Sequence, residues 1–396
     1  MVSFEDTEIA FKSKTNRDLK RAYWLFKIIA NPNVVKFGKS LTNFALKCHL
    51  PIKGIIKKTI FRQFCGGETI KDCKTTIKKL SYYGIGTILD YSVEGKTSIK
   101  DFEKTTQEII NTINRAKNSK TIPFAVFKIT GIAQFDILEK ANSNENSLSD
   151  TELTELNQII SRIERICSHA FETNVPVFID AEESWIQDII DRITESMMLK
   201  FNTEKAIVFN TLQMYRHDRI AYLENCIKKA KSQNFHYGIK LVRGAYMEKE
   251  RERAQEKGYP SPIQKDKESC DYDYNKALEI IIKNIDVLAL CAGTHNEDSS
   301  LLLTKLMEKE GLDVNDKRIY FAQLLGMSDH ISYNLANSLY NVAKYVPYGP
   351  IKEVIPYLLR RAEENTSVSG QTGRELSLIL KEKDRRRNTS KKTHIN

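Results

Sequence analysis

Eight short runs of β-branched and other apolar residues recur along the chain, and longer segments with helical spacing separate them. The runs cover residues 85–91, 124–130, 175–180, 206–211, 237–242, 287–292, 318–322 and 341–346. Apolar residues recur at three- and four-residue spacing in the segments 151–173, 184–199, 218–234, 272–283, 299–311 and 327–339. Eight strands that alternate with helices are what a closed (β/α)8 barrel requires. The sequence therefore predicts an α/β fold, a distorted TIM-like (β/α)8 barrel, with an open doubly wound sheet as the competing topology.

These patterns divide the chain into three regions. Residues 1–80 are predicted to be a helical N-terminal extension, residues 81–380 the barrel, and residues 381–396 a basic, disordered tail. The tail contains KEKDRRRNTSKK at 381–392, and a basic arm of this kind is suited to contact with anionic lipid or nucleic acid. A solubilising tail without a partner is the alternative.

The composition excludes several classes of protein. The 396 residues are 41% hydrophobic and 28% charged, as is usual for globular proteins, and the formal net charge is +10. No apolar run approaches the ~18 residues of a membrane-spanning helix. Acidic residues, among them Glu5 and Glu8, occur where a signal peptide has basic ones. We therefore expect an intracellular protein that does not span a membrane.

The cysteine and histidine patterns predict no metal site. The seven cysteines are scattered without a C-x-x-C pair, and the chain has no H-E-x-x-H motif. We expect reduced cysteines and neither a disulfide framework nor a zinc centre.

Polar residues stand at the C-terminal ends of nearly all the predicted strands. They are Asp90, Lys128, Asp180, Gln213, the turn Val242-Arg243-Gly244-Ala245-Tyr246, Thr294-His295-Asn296, Gln323 and Tyr345. Buried strands gain no stability from polar residues at one common end, whereas a ligand site at the mouth of a barrel requires them. The sequence therefore predicts a binding site at this mouth.

Two adjacent arginines follow the eighth predicted strand. Arg360 and Arg361 lie on a predicted helix, with Tyr357 before them and Glu364 within reach of both. Paired guanidinium groups held by a carboxylate suit a small carboxylate ligand, because each group gives two parallel hydrogen bonds. A solvated, charged turn of a surface helix is the alternative interpretation.

Eight motifs in this order resemble the proline dehydrogenase family, over residues 80–367. They are ILDYSVEG, FKIT, VPVFIDAEES, KLVRGAYMEKER, AGTHNEDS, FAQLLGMSDH, KYVPYGP and YLLRRAEENTS. KLVRGAY and FAQLLGMSDH are most similar to the single-function branch that includes mitochondrial enzymes.

The resemblance implies an enzyme with noncovalently bound FAD. Such an enzyme oxidises L-proline to Δ1-pyrroline-5-carboxylate, passing a hydride to flavin N5 and electrons to a membrane quinone. The implied location is the bacterial cytoplasm, with peripheral contact at the inner membrane. No nucleic-acid partner is expected, because residues 1–80 show no helix-turn-helix signature.

The resemblance also implies roles for individual residues. The catalytic candidates are Asp180, Lys240 and Tyr345. The substrate-binding candidates are Lys128, Arg360 and Arg361 for the carboxylate, and Tyr246, Leu324 and Tyr357 for the ring. The cofactor-binding candidates are Gln213, Val242, Arg243, Gly244, Ala245, Thr294, His295, Asn296 and Glu364. Many bacterial members have arginine where this chain has Lys240, which makes Lys240 the candidate for the contact with flavin N5.

Three other functions compete with this interpretation. Members that act on hydroxyproline tend to have a smaller residue in place of Tyr345, so its presence favours proline. A non-catalytic amino-acid-binding or regulatory relative is a second alternative. The acidic group of Asp180, Glu182 and Glu183 also resembles the paired carboxylates of a sugar hydrolase.

Overall fold

Eight parallel strands form a closed barrel in chain order. A computed structural model describes residues 2–47, 53–93, 97–367 and 371–393. In this part of the chain the strands are β1 (Ile85–Tyr91), β2 (Phe124–Lys128), β3 (Val177–Asp180), β4 (Val208–Gln213), β5 (Tyr237–Val242), β6 (Leu288–Gly293), β7 (Ile319–Leu324) and β8 (Val342–Tyr348). Each strand pairs with the next, and β8 closes on β1 over the full length from Ile85 to Tyr91. The predicted barrel is confirmed, and the open doubly wound sheet is wrong.

Helices surround the barrel and extend before and after it. Before β1 lie α1 (Thr7–Phe11), α2 (Asn16–Ile29), α3 (Pro32–Lys47), α4 (Lys53–Ile56), α5 (Arg62–Phe64) and α6 (Lys74–Tyr82), with a π-helical turn at Lys57–Phe61. Between the strands lie α7 (Ile99–Ala116), α8 (Phe135–Asn144), α9 (Asp150–Thr173), α10 (Ser184–Phe201), α11 (Arg219–Gln233), α12 (Met247–Lys257), α13 (Lys267–Lys283), α14 (Glu297–Lys309) and α15 (Asp329–Asn337). After β8 come α16 (Ile351–Ser367) and α17 (Gln371–Thr393), and 3-10 turns occupy Ile129–Gly131 and Glu145–Ser147. All six predicted helices are confirmed.

Two apolar layers hold the barrel together. Inside it, the rings of Phe124 and Phe178 stack with centroids 4.3 Å apart, and Phe209 meets Phe124 edge-on. Outside it, the other faces of the strands pack against the surrounding helices in one large cluster. Strands buried on both faces need nearly continuous apolar runs, which explains why the sequence signal for them is so clear.

The C-terminal helix corrects the prediction of a disordered tail from residue 381. Residues 381–393 belong to α17, which begins at Gln371. The side chains of Leu378 and Ile379 are each 1% exposed and pack in a cluster that includes Phe11 and Leu19 of the N-terminal segment. Two of the basic residues that suggested a solvated arm are ion-paired with the N-terminal segment: Lys381 with Glu5, and Arg385 with Glu8. Burial of α17 against the N-terminal helices therefore orders a segment whose own composition predicts disorder.

No helix in the described ranges is long and apolar enough to cross a membrane.

Candidate active site

The C-terminal ends of the eight strands meet at one mouth of the barrel, because all the strands are parallel. Residues from neighbouring strands are placed side by side there. Lys128 is the register partner of Asp180, Gln213 of Val242, and Leu324 of Tyr345. The sequence analysis predicted that these residues lie at one mouth of the barrel, and the observed strand register agrees with that prediction.

An ion pair lies at the centre of this mouth. Lys240 Nζ is 2.5 Å from Asp180 Oδ1, and the two side chains are only 9% and 14% exposed. The same ammonium lies 4.5 Å from the ring centroid of Tyr345. Burial, and next the negative charge of Asp180, raise the pKa of the nearby Asp90. The three catalytic candidates are thus in mutual contact in a low-dielectric setting.

A second cationic group lies beside this pair. Lys128 Nζ donates a hydrogen bond of 3.3 Å to Tyr246 Oη. Burial raises the pKa of Tyr246 to about 12, and the positive charges of Lys128 and Arg360 oppose the rise. The charge of Arg360, on helix α16, therefore acts on Tyr246.

The other arginine of α16, Arg361, affects a different residue, His295. Arg361 lies with its guanidinium 5.3 Å from the Tyr357 ring centroid, and both side chains are buried. Burial, then the positive charges of Lys344 and Arg361, lower the pKa of His295 to about 3. His295 is therefore a neutral imidazole at physiological pH. Leu324, at the end of β7, packs against the cluster that contains Tyr357 and Leu358, so helix α16 lies at this mouth.

Arg243 organises the polar residues that follow β5 and β6. Its guanidinium donates to Asp271 Oδ1 at 2.6 Å, to Thr294 Oγ1 at 2.8 Å and to Ser299 Oγ at 2.9 Å. Asn296 is the N-cap residue of α14, and its Oδ1 accepts from the backbone N–H of Ser299 at 2.9 Å. Three cofactor candidates, Arg243, Thr294 and Asn296, are therefore linked at the N-terminus of one helix.

The turn after β5 requires glycine at one position. Gly244 has φ +132°, and a Cβ there would lie 2.6 Å from the Tyr215 ring. Gly244 and Ala245 are both exposed at the mouth. The backbone is thus open to a ligand where a larger residue would clash. Glu364, the remaining cofactor candidate, is on α16, and its side chain lies outside the described residues.

Three comparisons with known proteins show what this chain is similar to. A model of the family described as proline dehydrogenase matches residues 73–374. The chain belongs to the proline dehydrogenase family. It is 32% identical to proline dehydrogenase 1, mitochondrial, of Dictyostelium discoideum, over 96% of this chain and 74% of that protein. It is 29% identical to hydroxyproline dehydrogenase of Xenopus laevis, over 97% of this chain and 90% of that protein.

A solved structure supports the fold. Proline utilization A from Bdellovibrio bacteriovorus, inactivated by N-propargylglycine, superposes with a TM-score of 0.71 at 18% identity. The alignment covers 91% of this chain and 38% of that larger one. The predictions of a proline dehydrogenase family member and of an enzyme are confirmed.

Glu182 and Glu183, close to Asp180 in sequence, contact other residues and are not arranged as the paired carboxylates of a sugar hydrolase. Glu182 accepts from the backbone N–H of Thr130 at 2.9 Å and from its hydroxyl at 2.5 Å. Glu183 forms an ion pair with Lys249. Gln213, a cofactor candidate, donates to the backbone carbonyl of Glu182 at 2.7 Å. In this family member the acidic cluster therefore supports the loop after β3.

Sequence reasoning missed the residues that support His295. Its Nδ1 is hydrogen-bonded to Ser328 Oγ at 2.9 Å, and the backbone N–H of Ser328 donates to Glu375 of α17 at 2.5 Å. Nearby, the fully buried Lys344 lies 2.9 Å from Asp329. The one sequence feature that could have indicated this pair is Lys344 itself, a lysine inside the apolar run of β8. A buried ammonium group requires a carboxylate partner.

Proposed function

We propose that this protein oxidises L-proline to Δ1-pyrroline-5-carboxylate with bound FAD and passes the electrons to a membrane quinone. The observation that supports this most directly is the position of α16. Tyr357 and Leu358 of α16 pack in one cluster with Leu324 at the end of β7. The positive charge of Arg360 opposes the rise in the pKa of Tyr246, and that of Arg361 helps to lower the pKa of His295.

The cationic groups suit the substrate carboxylate. Lys128, Arg360 and Arg361 together give a small carboxylate more than one charge-assisted hydrogen bond. An uncharged pyrrolidine would forgo the charge-assisted hydrogen bonds that a carboxylate can make with these three groups, which disfavours its binding. The same positive environment disfavours the protonated amine, and loss of a hydride from the carbon beside nitrogen requires the neutral amine.

The walls of the site suit a small ring. The side chains of Tyr345 and Tyr357 are each 6% exposed, and Leu324 is the register neighbour of Tyr345. Apolar walls exclude water and fix the ring relative to the carboxylate anchor, as hydride transfer requires. The ion pair of Lys240 and Asp180 lies beside the Tyr345 ring and supplies a fixed dipole at the reacting end.

The donor groups fit FAD. Arg243, Thr294 and Asn296 at the N-terminus of α14 are suited to a diphosphate, and Gly244 leaves the neighbouring backbone open to approach. His295, Gln213, Val242, Ala245 and Glu364 are the further candidates for holding it. When bound, FAD supplies the acceptor for the hydride that leaves the substrate.

Hydroxyproline is the second candidate substrate. The relative from Xenopus laevis is named a hydroxyproline dehydrogenase, and its match covers nearly the whole of this chain. Against this stands the buried ring of Tyr345, which leaves less space than a smaller residue at the wall. We therefore propose proline as the preferred substrate. The proposed location is the bacterial cytoplasm, at the inner face of the membrane.

The test is the visible absorption spectrum of the purified protein without oxygen, before and after L-proline or 4-hydroxyproline is added. We expect flavin bands that bleach with proline and much less with hydroxyproline. Flavin bands that bleach preferentially with hydroxyproline would reverse the substrate assignment. A flavoprotein indifferent to both would contradict the activity, and a protein that stays colourless after reconstitution with FAD would indicate a non-catalytic binding protein.

A further inference from the structure

The helices that precede the barrel expose an unusual number of large apolar side chains. Within the described residues these are Trp24 and Ile28 of α2, Val34, Phe37 and Leu41 of α3, and Ile55 of α4. We call these six side chains the docking face. Phe37 is 71% exposed and Ile55 is 68% exposed. Removing such groups from water is favourable, so a face of this kind indicates an interaction site.

The spacing of these residues places them on one side of each helix. Trp24 and Ile28 are four residues apart, and Val34, Phe37 and Leu41 follow three- and four-residue spacing. The other side of α3 packs inward through Val35, which is 8% exposed. Helix α3 therefore has a second apolar side that the described residues leave exposed.

The same segment is strongly basic. Between Leu19 and Gly67 the sequence has ten lysine and arginine residues and no aspartate or glutamate. The exposed members include Lys20, Lys27, Lys36, Lys53 and Lys58. Exposed apolar side chains among lysines are typical of helices that lie in the interface of an anionic bilayer. A second copy of this chain is disfavoured on the same face, because it would oppose two surfaces of like charge.

The helices that carry the docking face pack against helix α16 at the barrel mouth. Phe26 of α2 and Val35 of α3 belong to the same buried cluster as Val354, Ile355 and Leu358 of α16. Helix α16 also contains Arg360 and Arg361. A surface pressed against the outer sides of α2 to α4 would therefore lie next to the proposed active site.

We propose that the docking face binds the surface of an anionic lipid bilayer, without crossing it. The proposal extends the proposed function, because it brings the site to the phase in which a lipid quinone dissolves. It also differs from the lipid contact predicted for the basic tail, since Lys381 and Arg385 of α17 are paired with Glu5 and Glu8.

The test is co-sedimentation of the FAD-loaded protein, without proline, with vesicles of equal parts phosphatidylglycerol and phosphatidylcholine. One variant, Phe37→Ser/Leu41→Ser, removes apolar contacts, and a second, Lys36→Glu/Lys53→Glu, reverses two charges. We expect each to weaken vesicle binding about tenfold or more, and high salt to weaken wild-type binding. The matched controls are Leu153→Ser/Tyr272→Ser and Lys104→Glu/Lys120→Glu, exposed residues elsewhere, which should bind within about twofold of wild type.

Trp24 gives a second readout at the face itself. In a Trp185→Phe background it is the one tryptophan of the chain, so its emission should shift to the blue on anionic vesicles and not on pure phosphatidylcholine. Unchanged binding by both docking-face variants, equal loss in the controls, or a dimer that Phe37→Ser/Leu41→Ser dissociates without any vesicle binding would each overturn the proposal.

Different results would contradict the proposed function and the proposed membrane contact. Protein that binds vesicles but does not bleach with proline would contradict the proposed function alone. Protein that bleaches with proline but ignores vesicles would contradict the docking face alone. If both hold, the docking-face variants should retain turnover with a water-soluble acceptor and lose it with quinone in vesicles.

Discussion

Lys240 and Asp180 form a charge pair in the proposed site, and both side chains are mostly buried. Replacing Lys240 by Met would leave the carboxylate of Asp180 unpaired beside Asp90. We expect Lys240→Met to destabilise the protein by about 3 kcal/mol and to lower turnover about 100-fold. Lys240→Arg keeps the charge and should retain most of the turnover.

The control is another lysine in an ion pair of similar length. Lys229 lies 2.6 Å from Glu195 but is 50% exposed, so Lys229→Met should cost less than about 1 kcal/mol and leave turnover unchanged. Equilibrium unfolding in urea and steady-state turnover check both values. Wild-type turnover in Lys240→Met would remove this lysine from the proposed chemistry.

The carboxyl group of Glu182 leads to a prediction of how the stability of the protein depends on pH. Burial raises the pKa of its carboxyl to about 7, against 4.5 in the unfolded chain, so the folded state favours the protonated form. This group therefore contributes stability that is present below about pH 4.5 and is lost as the pH rises through about 7. Glu182→Gln does not titrate and can still bond to Thr130.

We expect Glu182→Gln to gain stability relative to wild type between about pH 5 and about pH 8, by up to about 3 kcal/mol. Urea midpoints of both proteins at the two pH values measure this difference in stability. Asp90 is present in both proteins, so its titration cancels in the comparison. An advantage that is constant with pH would show that Glu182 is ionised throughout.

The residues that line the mouth were predictable, whereas their supporting contacts were not. Asp180 and Lys128 could be assigned because the end of a parallel strand is a position that sequence pattern locates. The contact from His295 through Ser328 to Glu375 joins three separate elements, and Glu375 lies in a helix with no motif. Only the packing of α17 brings that carboxylate to the site.

At the scale of elements, the strands were the most predictable feature. The predicted bounds of β1 and β5 are those observed, because both strands are buried runs that end at glycine or polar residues. Helix α12 was missed: its sequence is MEKERERAQEK, in which charged residues predominate and apolar periodicity is absent. Helix α17 was interpreted as a tail for the same reason.

Helix α17 can be tested by comparing two leucines on it. Leu378 is 1% exposed, and Leu380, two residues later, is 42% exposed. We expect Leu378→Ala to cost about 3 kcal/mol and Leu380→Ala to change stability by less than about 0.5 kcal/mol. Unfolding midpoints in urea measure both. Equal, small effects would contradict the packing of α17 against the N-terminal helices.

At the scale of the whole molecule, the two ends of the chain are joined to the barrel. Phe11, Leu19 and Phe26 share a buried cluster with Leu358 of α16 and Leu378 of α17. The division of the chain at residues 80 and 380 stays a prediction, and this shared core argues that the outer regions do not unfold separately. A cluster built from both ends cannot lose one part without exposing the other.

The two tryptophans make this cooperativity measurable. Trp24 lies in α2, edge-on to Tyr23, and Trp185 lies in α10, where Arg253 is 4.4 Å from its ring centroid. In Trp185→Phe the emission reports on the N-terminal helices, and in Trp24→Phe it reports on the barrel. We expect coincident midpoints in urea, matching that of far-UV circular dichroism, because the shared cluster couples the regions. Adding Phe11→Ala should lower both midpoints equally. A Trp24 transition at lower urea than that of Trp185 would instead make residues 1–80 an independent extension.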